Sequence, residues 1–176
     1  MHSGNHQWLQ TVKVRYPEHF KGAQVLEIGA YNVNGTARDH FKECKRYVGV
    51  DQTPGPCVDI AVDATATVFK PGEFDTLLYL SVFEHDPKWW NGFSHNLQWV
   101  RDGGLIIVCW GAEGNLRHAP EPWAIVHVKD FMNELRYWPI VLEDAFFEAM
   151  RHTDDAKGCF DVVARKKNSI GVVKKT

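Results

Sequence analysis

The sequence predicts an α/β fold, a doubly wound and mostly parallel sheet with reduced helices, and three observations predict it. First, the apolar run Ala23–Ile28 has the length and branching of a buried parallel strand. It breaks at Gly29 into a loop carrying Asn32, Asn34 and Gly35, and a helical pattern starts at Thr36. Second, the strand-like run Tyr47–Val50 ends at Asp51, 22 positions after Gly29. Doubly wound folds place a ribose-binding acidic residue at about that offset, ~20 residues. Third, two further apolar runs, Phe74–Leu80 and Leu105–Trp110, flank an amphipathic stretch from Lys88 to Val100.

The remaining elements follow in order. Trp8, Leu9, Val12 and Tyr16 stand near helical spacing, which predicts a first helix within Gln7–Phe20 that ends before Pro17 and covers one sheet face. Thr36–Lys42 reads as a short helix with Asn34 or Thr36 as N-cap. Thr53-Pro54-Gly55-Pro56 is too stiff and broken for a crossover helix. A short strand, Val58–Val62, follows, ending at Asp63-Ala64, and the link Thr65–Gly72 leaves little room for a helix. Most aromatics of Lys88–Val100 belong to the core, and Arg101-Asp102-Gly103-Gly104 makes a tight turn into the fifth strand. Gly111–His127, interrupted by Pro120 and Pro122, is a long loop above the sheet's carboxyl edge, a functional cover. Val128–Tyr137 is a last helix stopped by Pro139, and Ile140–Phe147 and Cys159–Arg165 read as two closing strands joined by the polar link Arg151–Gly158. The lysines at 166, 167, 174 and 175 read as a solvated tail.

Composition narrows the function classes. A chain of 176 residues is one ordinary domain: residues 1–21 hold the N-terminal helix, 22–166 the core and 167–176 the basic tail. The net charge of -2 carries no polyelectrolyte signal, so nucleic acid is not an expected partner. Cys44, Cys57, Cys109 and Cys159 form no C-x-x-C pair and read as free thiols in a reducing, cytoplasmic setting. No apolar run approaches the ~20 residues of a membrane span. No His, Cys and acidic cluster shows zinc-type ligand spacing along the chain, so no metal is expected.

The run Leu26-Glu27-Ile28-Gly29…Asn34-Gly35 resembles the first motif of the class I S-adenosylmethionine-dependent methyltransferases, in a sub-branch with Asn-Gly closing the loop. The Gly55–Asp59 run and the Arg101–Gly104 turn are also similar to that family, and Ser81-Val82-Phe83-Glu84-His85 resembles its fourth motif. The resemblance covers roughly residues 22–166 and implies a seven-stranded Rossmann-like sheet with a terminal hairpin. It implies S-adenosylmethionine as cofactor, held by Glu27, Gly29, Ala30, Tyr31, Asn34, Gly35, Asp51, Gln52, Asp63, Ala64, Ser81 and Val82. Within that set Asp51 faces the ribose, although a solvated strand-end aspartate is the plainer alternative, and Asp63 faces the adenine, with Asp59 as its competitor.

The expected chemistry is methyl transfer to a small-molecule or glycan acceptor. In-line displacement from a sulfonium mainly needs alignment, and a protic acceptor also needs a base. His85 is the first candidate base, oriented by Glu84 and Asp86, with a backbone-bonding structural role as the alternative. His118 and His127 are weaker alternatives as base, and Trp110, His118 and Trp123 are candidate acceptor-binding residues, with plain packing the more frequent use of a tryptophan. With no appended substrate domain, the acceptor pocket has to come from the first helix, the Gly111–His127 loop or a second subunit, as in a homodimer. Two rivals remain: a nicotinamide-dependent oxidoreductase, opposed by Tyr31 at the second glycine of the G-x-G-x-x-G pattern, and a non-catalytic nucleoside-binding module. The fourth strand carries no Asp-Pro-Pro-Tyr-like tetrapeptide, and Cys57 after Pro56 lies in the wrong loop for a cytosine-C5 nucleophile, so DNA is not the expected acceptor.

Overall fold

The computed structural model describes residues 3–143 and 158–167. Its strands form one seven-stranded sheet in the order β3-β2-β1-β4-β5-β7-β6. They are β1 (Gln24–Ile28), β2 (Arg46–Asp51), β3 (Ile60–Ala61), β4 (Phe74–Leu80), β5 (Val100–Gly111), β6 (Ile140–Leu142) and β7 (Cys159–Lys166). The first five pair in parallel, and β7 runs antiparallel to both β5 and β6. Chain order reverses between β1 and β4, which creates the topological switch point where open α/β sheets bind ligands.

Two-residue periodicity explains how one sheet is buried on both faces. Leu77 and Tyr79 of β4 enter one hydrophobic cluster, while Leu78 and Leu80 enter the other. Ile106, Val108 and Trp110 of β5 likewise oppose Leu105, Ile107 and Cys109. One face is covered by α1 (Ser3–Arg15) through Trp8, Leu9 and Val12. The other is covered by α2 (Trp89–Asn96) through Trp89 and Phe93, and by α3 (Val128–Leu135) through Phe131, with Trp138 beyond it. Phe83 packs tilted on Trp89 and Trp110 and edge-on to Phe93, Trp110 packs tilted on Phe131, and Trp89 and Phe131 are stacked with ring centres 6.3 Å apart.

The helices are indeed reduced. Thr36, and not Asn34, caps the segment Ala37–Phe41, its hydroxyl accepting from the Arg38 N–H at 3.2 Å, and that segment is a 3-10 turn. The expected strand over Val58–Val62 narrows to the two residues of β3. The first helix starts earlier than its apolar spacing suggests and gives way to a 3-10 turn at Pro17–His19. The turn at Arg101–Gly104 persists as a bulge inside β5: the register slips between the Phe74–Val100 and Thr76–Leu105 pairs. Gly103 takes φ +74° there, and Arg101 Nε donates to Asp75 Oδ1 at 2.6 Å.

One expectation about the tail is corrected. Lys166 belongs to β7 and is buried, and its ammonium donates to the carbonyls of Leu97 and Val100, both at 2.7 Å. These carbonyls bracket the turn after α2, where the Leu97 carbonyl also accepts from the Val100 N–H, so the cation fastens β7 to that turn. The link Arg151–Gly158 up to residue 157, the second half of the Ile140–Phe147 strand and the tail from 168 lie outside the described residues.

Candidate functional site

The carboxyl ends of β1, β2 and β4, with the segment after β3, bring the expected residues to one edge. Gly29 follows β1 with φ +79°, and a Cβ placed there would lie 2.2 Å from Val82 Cγ2. The loops after β1 and β4 are therefore in contact at the switch point, and only glycine fits that approach. Ser81, the first residue after β4, takes φ +59°. A non-glycine residue in that region costs free energy and persists where the surroundings fix it, commonly at a functional site. Its N–H is anchored on the Cys109 carbonyl at 2.7 Å.

Three carboxylates line the β1–β3 side. Asp51 ends β2, accepting from the Tyr31 N–H at 3.2 Å and the Thr53 N–H at 2.9 Å, which ties the loop after β1 to the loop after β2. Within the first loop, Asn32 Oδ1 accepts from the Gly35 N–H at 2.8 Å. Asp63 caps the 3-10 turn Ala64–Ala66 and accepts from the Thr65 N–H and hydroxyl, contacts that hold its carboxyl below the usual range while it stays exposed. Glu27 is buried, and burial pushes its carboxyl up to about 7 although the Tyr47 hydroxyl donates to it at 2.7 Å. Tyr31 is exposed and its ring lies over Gly55, where a Cβ would come within 2.2 Å of the ring. Gln52 is exposed just beyond the strand end, and Ala30 is buried beneath the loop.

Asp59 has a different task. Its carboxylate meets Arg38 Nη2 at 2.5 Å and accepts from the Gly49 N–H at 2.7 Å, locking the start of the third strand to β2. That leaves Asp63 as the carboxylate at the free end of the turn. Sequence reasoning missed Arg38 and Tyr47: the guanidinium lies 4.6 Å from the Tyr47 ring centre, and the pair braces Glu27 and Asp59. It also missed Asn96, fully buried in α2, whose amide reaches the Ala64 carbonyl (2.8 Å), the Tyr79 hydroxyl (2.9 Å) and the Gly92 carbonyl (2.7 Å). A buried asparagine in a short helix is the signal that could have found it.

The other side of the edge is built by the 3-10 turn Phe83–His85 and the 112–127 loop. The Ala124 N–H donates to the Glu84 carbonyl at 2.8 Å, pinning the loop over the turn. Glu84 is 3% exposed, its Oε2 has no partner among the described residues, and burial pushes its carboxyl up to about 7. His85 Nδ1 contacts the Pro122 carbonyl at 3.3 Å and burial holds the imidazole below its ordinary range. His118 comes from the loop to pack edge-on against His85, ring centres 5.1 Å apart, with Trp123 behind it at 5.9 Å. Ligand atoms of Glu84, His85 and His118 all lie within 4.8 Å of one another. Linear spacing could not show this group, because His118 stands 33 positions after His85. His127 is tied elsewhere, to Glu113 at 2.9 Å, and Asp86 accepts from the Lys88 N–H at 2.8 Å, opening α2. Trp110 leaves the acceptor-binding set: it is fully buried, its Nε1 donating to the Val126 carbonyl at 2.9 Å, so it supports the loop from beneath.

Compared with known proteins, no family model matches the sequence and no curated protein matches it. Solved structures do match in fold. The 1,6-didemethyltoxoflavin-N1-methyltransferase of Burkholderia thailandensis, seen with its namesake compound and S-adenosylhomocysteine, aligns with TM-score 0.69 at 15% identity. That alignment covers 95% of this chain and 84% of that one. The N-methyltransferase NodS of Bradyrhizobium japonicum aligns with TM-score 0.65 at 12% identity, covering 94% and 97%. The [4+2]-cyclase SpnF aligns with TM-score 0.63 at 13% identity, covering 89% and 80%. The fold is the Rossmann-like methyltransferase fold, and the cyclase among its neighbours means that function has to be argued from the site.

Proposed function

We propose that the protein binds S-adenosylmethionine across the switch point and transfers its methyl group to a small-molecule acceptor, sugars and glycans included. The observation that carries this reading is the division of the carboxyl edge. Carboxylates Glu27, Asp51 and Asp63 stand on one side, and the Glu84–His85–His118 group stands on the other. Every polar end of the cofactor that would meet the first side is a donor: two ribose hydroxyls, an adenine amino group and an ammonium. A carboxylate accepts from all of them, and such charge-assisted bonds are the strong ones. The fit is best at Asp51 and Asp63, while at Glu27 the Tyr47 hydroxyl shares the carboxylate.

When bound, the cofactor supplies an electrophilic methyl carbon on a sulfonium. The chain's residues position the partners and manage the proton. Gly29 and Val82 set how closely the loops after β1 and β4 approach, and hence where the sulfur end can lie. With its Nδ1–H donating to the Pro122 carbonyl, His85 keeps its Nε2 lone pair for the acceptor's O–H or N–H proton. The acceptor atom bonds to the methyl carbon as the carbon–sulfur bond breaks, the bonding pair staying on sulfur. Trp123 and His118 offer half-buried rings to the acceptor. Four unpaired cysteines support a reducing, cytoplasmic setting, and among the described residues no helix is long and apolar enough to cross a membrane.

Calorimetry against S-adenosylmethionine and against a nicotinamide dinucleotide tests the first half of the reading. One-to-one binding of the sulfonium donor alone is expected, and heat only with the dinucleotide would overturn it. Incubation with methyl-labelled donor and pools of host metabolites and glycans then tests transfer. His85→Ala should keep donor affinity and lose turnover by about 10²–10⁴-fold, the usual contribution of a positioned base. Donor binding without a labelled product from any pool would leave the binding-module alternative standing.

A further inference from the structure

We propose that Glu84, His85 and His118 form a site for one divalent first-row transition-metal ion, with zinc the best match, at the acceptor end of the carboxyl edge. The placement rests on the reading of that edge given above, but the site itself rests on four features of the chain. The first is the donor set: two imidazoles and one carboxylate are the three protein ligands of open zinc sites, which keep a further position for water or substrate. The second is proximity, since the three ligand atoms already lie within 4.8 Å of one another. Tetrahedral ligation at ~2.0–2.1 Å puts neighbouring ligand atoms roughly 3.4 Å apart, so the group has to close by no more than roughly 1.4 Å.

The third is the tautomer. His85 Nδ1 contacts the Pro122 carbonyl at 3.3 Å, and His118 Nδ1 contacts the Leu116 carbonyl at 2.9 Å. A carbonyl only accepts, so both rings carry their hydrogen on Nδ1 and keep the Nε2 lone pair. Backbone carbonyls fix metal-binding histidines in just this way, orienting the ring and raising its basicity. The fourth is Glu84: the residue is only 3% exposed and its Oε2 has no hydrogen-bond partner among the described residues. A cation gives that oxygen the partner that burial otherwise denies it. Two of the ligands sit on the turn after β4 and the third on the 112–127 loop, so the ion would also clamp loop to turn beside the Ala124–Glu84 backbone bond. Ligation and proton transfer exclude each other at His85 Nε2. In the ion-bound enzyme the open coordination position would take an acceptor oxygen directly, and a divalent ion lowers the pKa of a bound hydroxyl.

The test uses the full chain, stripped with a chelator and titrated with Zn2+ by competition with a chromophoric chelator, then with Co2+ by visible absorption. One equivalent of Zn2+ at micromolar affinity or tighter is expected, together with tetrahedral Co2+ bands lacking thiolate charge transfer. His118→Ala, on a half-exposed loop residue, should weaken zinc by at least about 100-fold, because even the loss of an outer-shell partner costs 10–100-fold. Glu84→Gln, a neutral isostere, should do the same. The contacting pair His6–His40, 2.9 Å apart, is a competing pair among the described residues, and His40→Ala should leave the zinc affinity unchanged. If His118→Ala and Glu84→Gln bind zinc as the parent does, or if His40→Ala removes the binding, the site is wrong. Donor calorimetry in the presence of chelator reports on the cofactor reading separately, since it needs no metal.

Discussion

Asp51, Asp59 and Asp63 are three carboxylates near the ends of neighbouring strands, and their partners sort them into different work. Asp59 is held by Arg38 and the Gly49 N–H, so it is a brace. Asp59→Ala would leave the Gly49 N–H unpaired and free Arg38, costing about 1–3 kcal/mol. Urea unfolding should show that loss, while donor affinity changes little. Asp51 keeps acceptor capacity beyond its two backbone contacts, since a carboxylate has about four lone-pair sites. Asp51→Asn should weaken the donor by about 10- to 100-fold in calorimetry with the melting temperature nearly unchanged, because a hydrogen bond to a charged group is worth about 1.5–3 kcal/mol. If the two substitutions exchange these phenotypes, the assignment of ribose to Asp51 fails.

At the scale of elements, Asn96 shows how a site is supported from behind. Its amide in α2 holds the Ala64 carbonyl, and its Oδ1 accepts from the Thr67 hydroxyl at 2.7 Å, to which Trp99 Nε1 also donates at 3.0 Å. The turn that presents Asp63 is therefore fastened to the far helix through a buried polar network. Asn96→Ala should cost about 2–3 kcal/mol, since it leaves more than one buried group unpaired, and the loosened turn should also weaken the donor. Equilibrium unfolding and calorimetry on the same variant check both effects. This network and the Glu84–His118 contact depend on pairs of residues tens of positions apart, so no local pattern carries them. The strands were legible because two-residue alternation is a local property: Phe74–Leu80 is β4 to the residue, and Gly29, Asp51 and Asp63 stand at strand ends as their spacing predicts. Trp110 stayed open between stacking and packing for the same reason, since composition cannot tell a tryptophan under a loop from one facing a ligand, and its full burial is the packing outcome. Lys166 was misjudged because a lysine next to a basic tail has no local mark of the two carbonyls it caps.

For the whole molecule, the buried titratable groups couple folding and binding to pH. Glu27 ordinarily titrates at 4.5 and is pushed up to about 7 by burial, so the folded state holds its proton more tightly than the unfolded chain does. That contribution to stability is fully present below about 4.5 and is lost as pH rises through about 7, amounting to about 3 kcal/mol at 1.36 kcal/mol per pKa unit. His19, buried against the Asp75 carbonyl, works in the opposite direction: burial holds it below 6.5, so stability falls as pH drops below that value. Glu84 is pushed up to about 7 in the same way, so Glu27→Gln should remove about half of the decline between pH 5 and 7.5 and leave the acid limb in place. The same carboxyl links binding to protons. If the donor's ammonium lies beside Glu27, a cation there favours the carboxylate and binding expels its proton. With the free form at about 7, roughly three-quarters of a proton should leave per donor bound at pH 6.5, read from calorimetry in buffers of different ionisation heat. Glu27→Gln should bring that number to zero. A parent protein whose binding heat ignores the buffer would place the ammonium away from Glu27 and would require the donor to lie in another orientation across the edge.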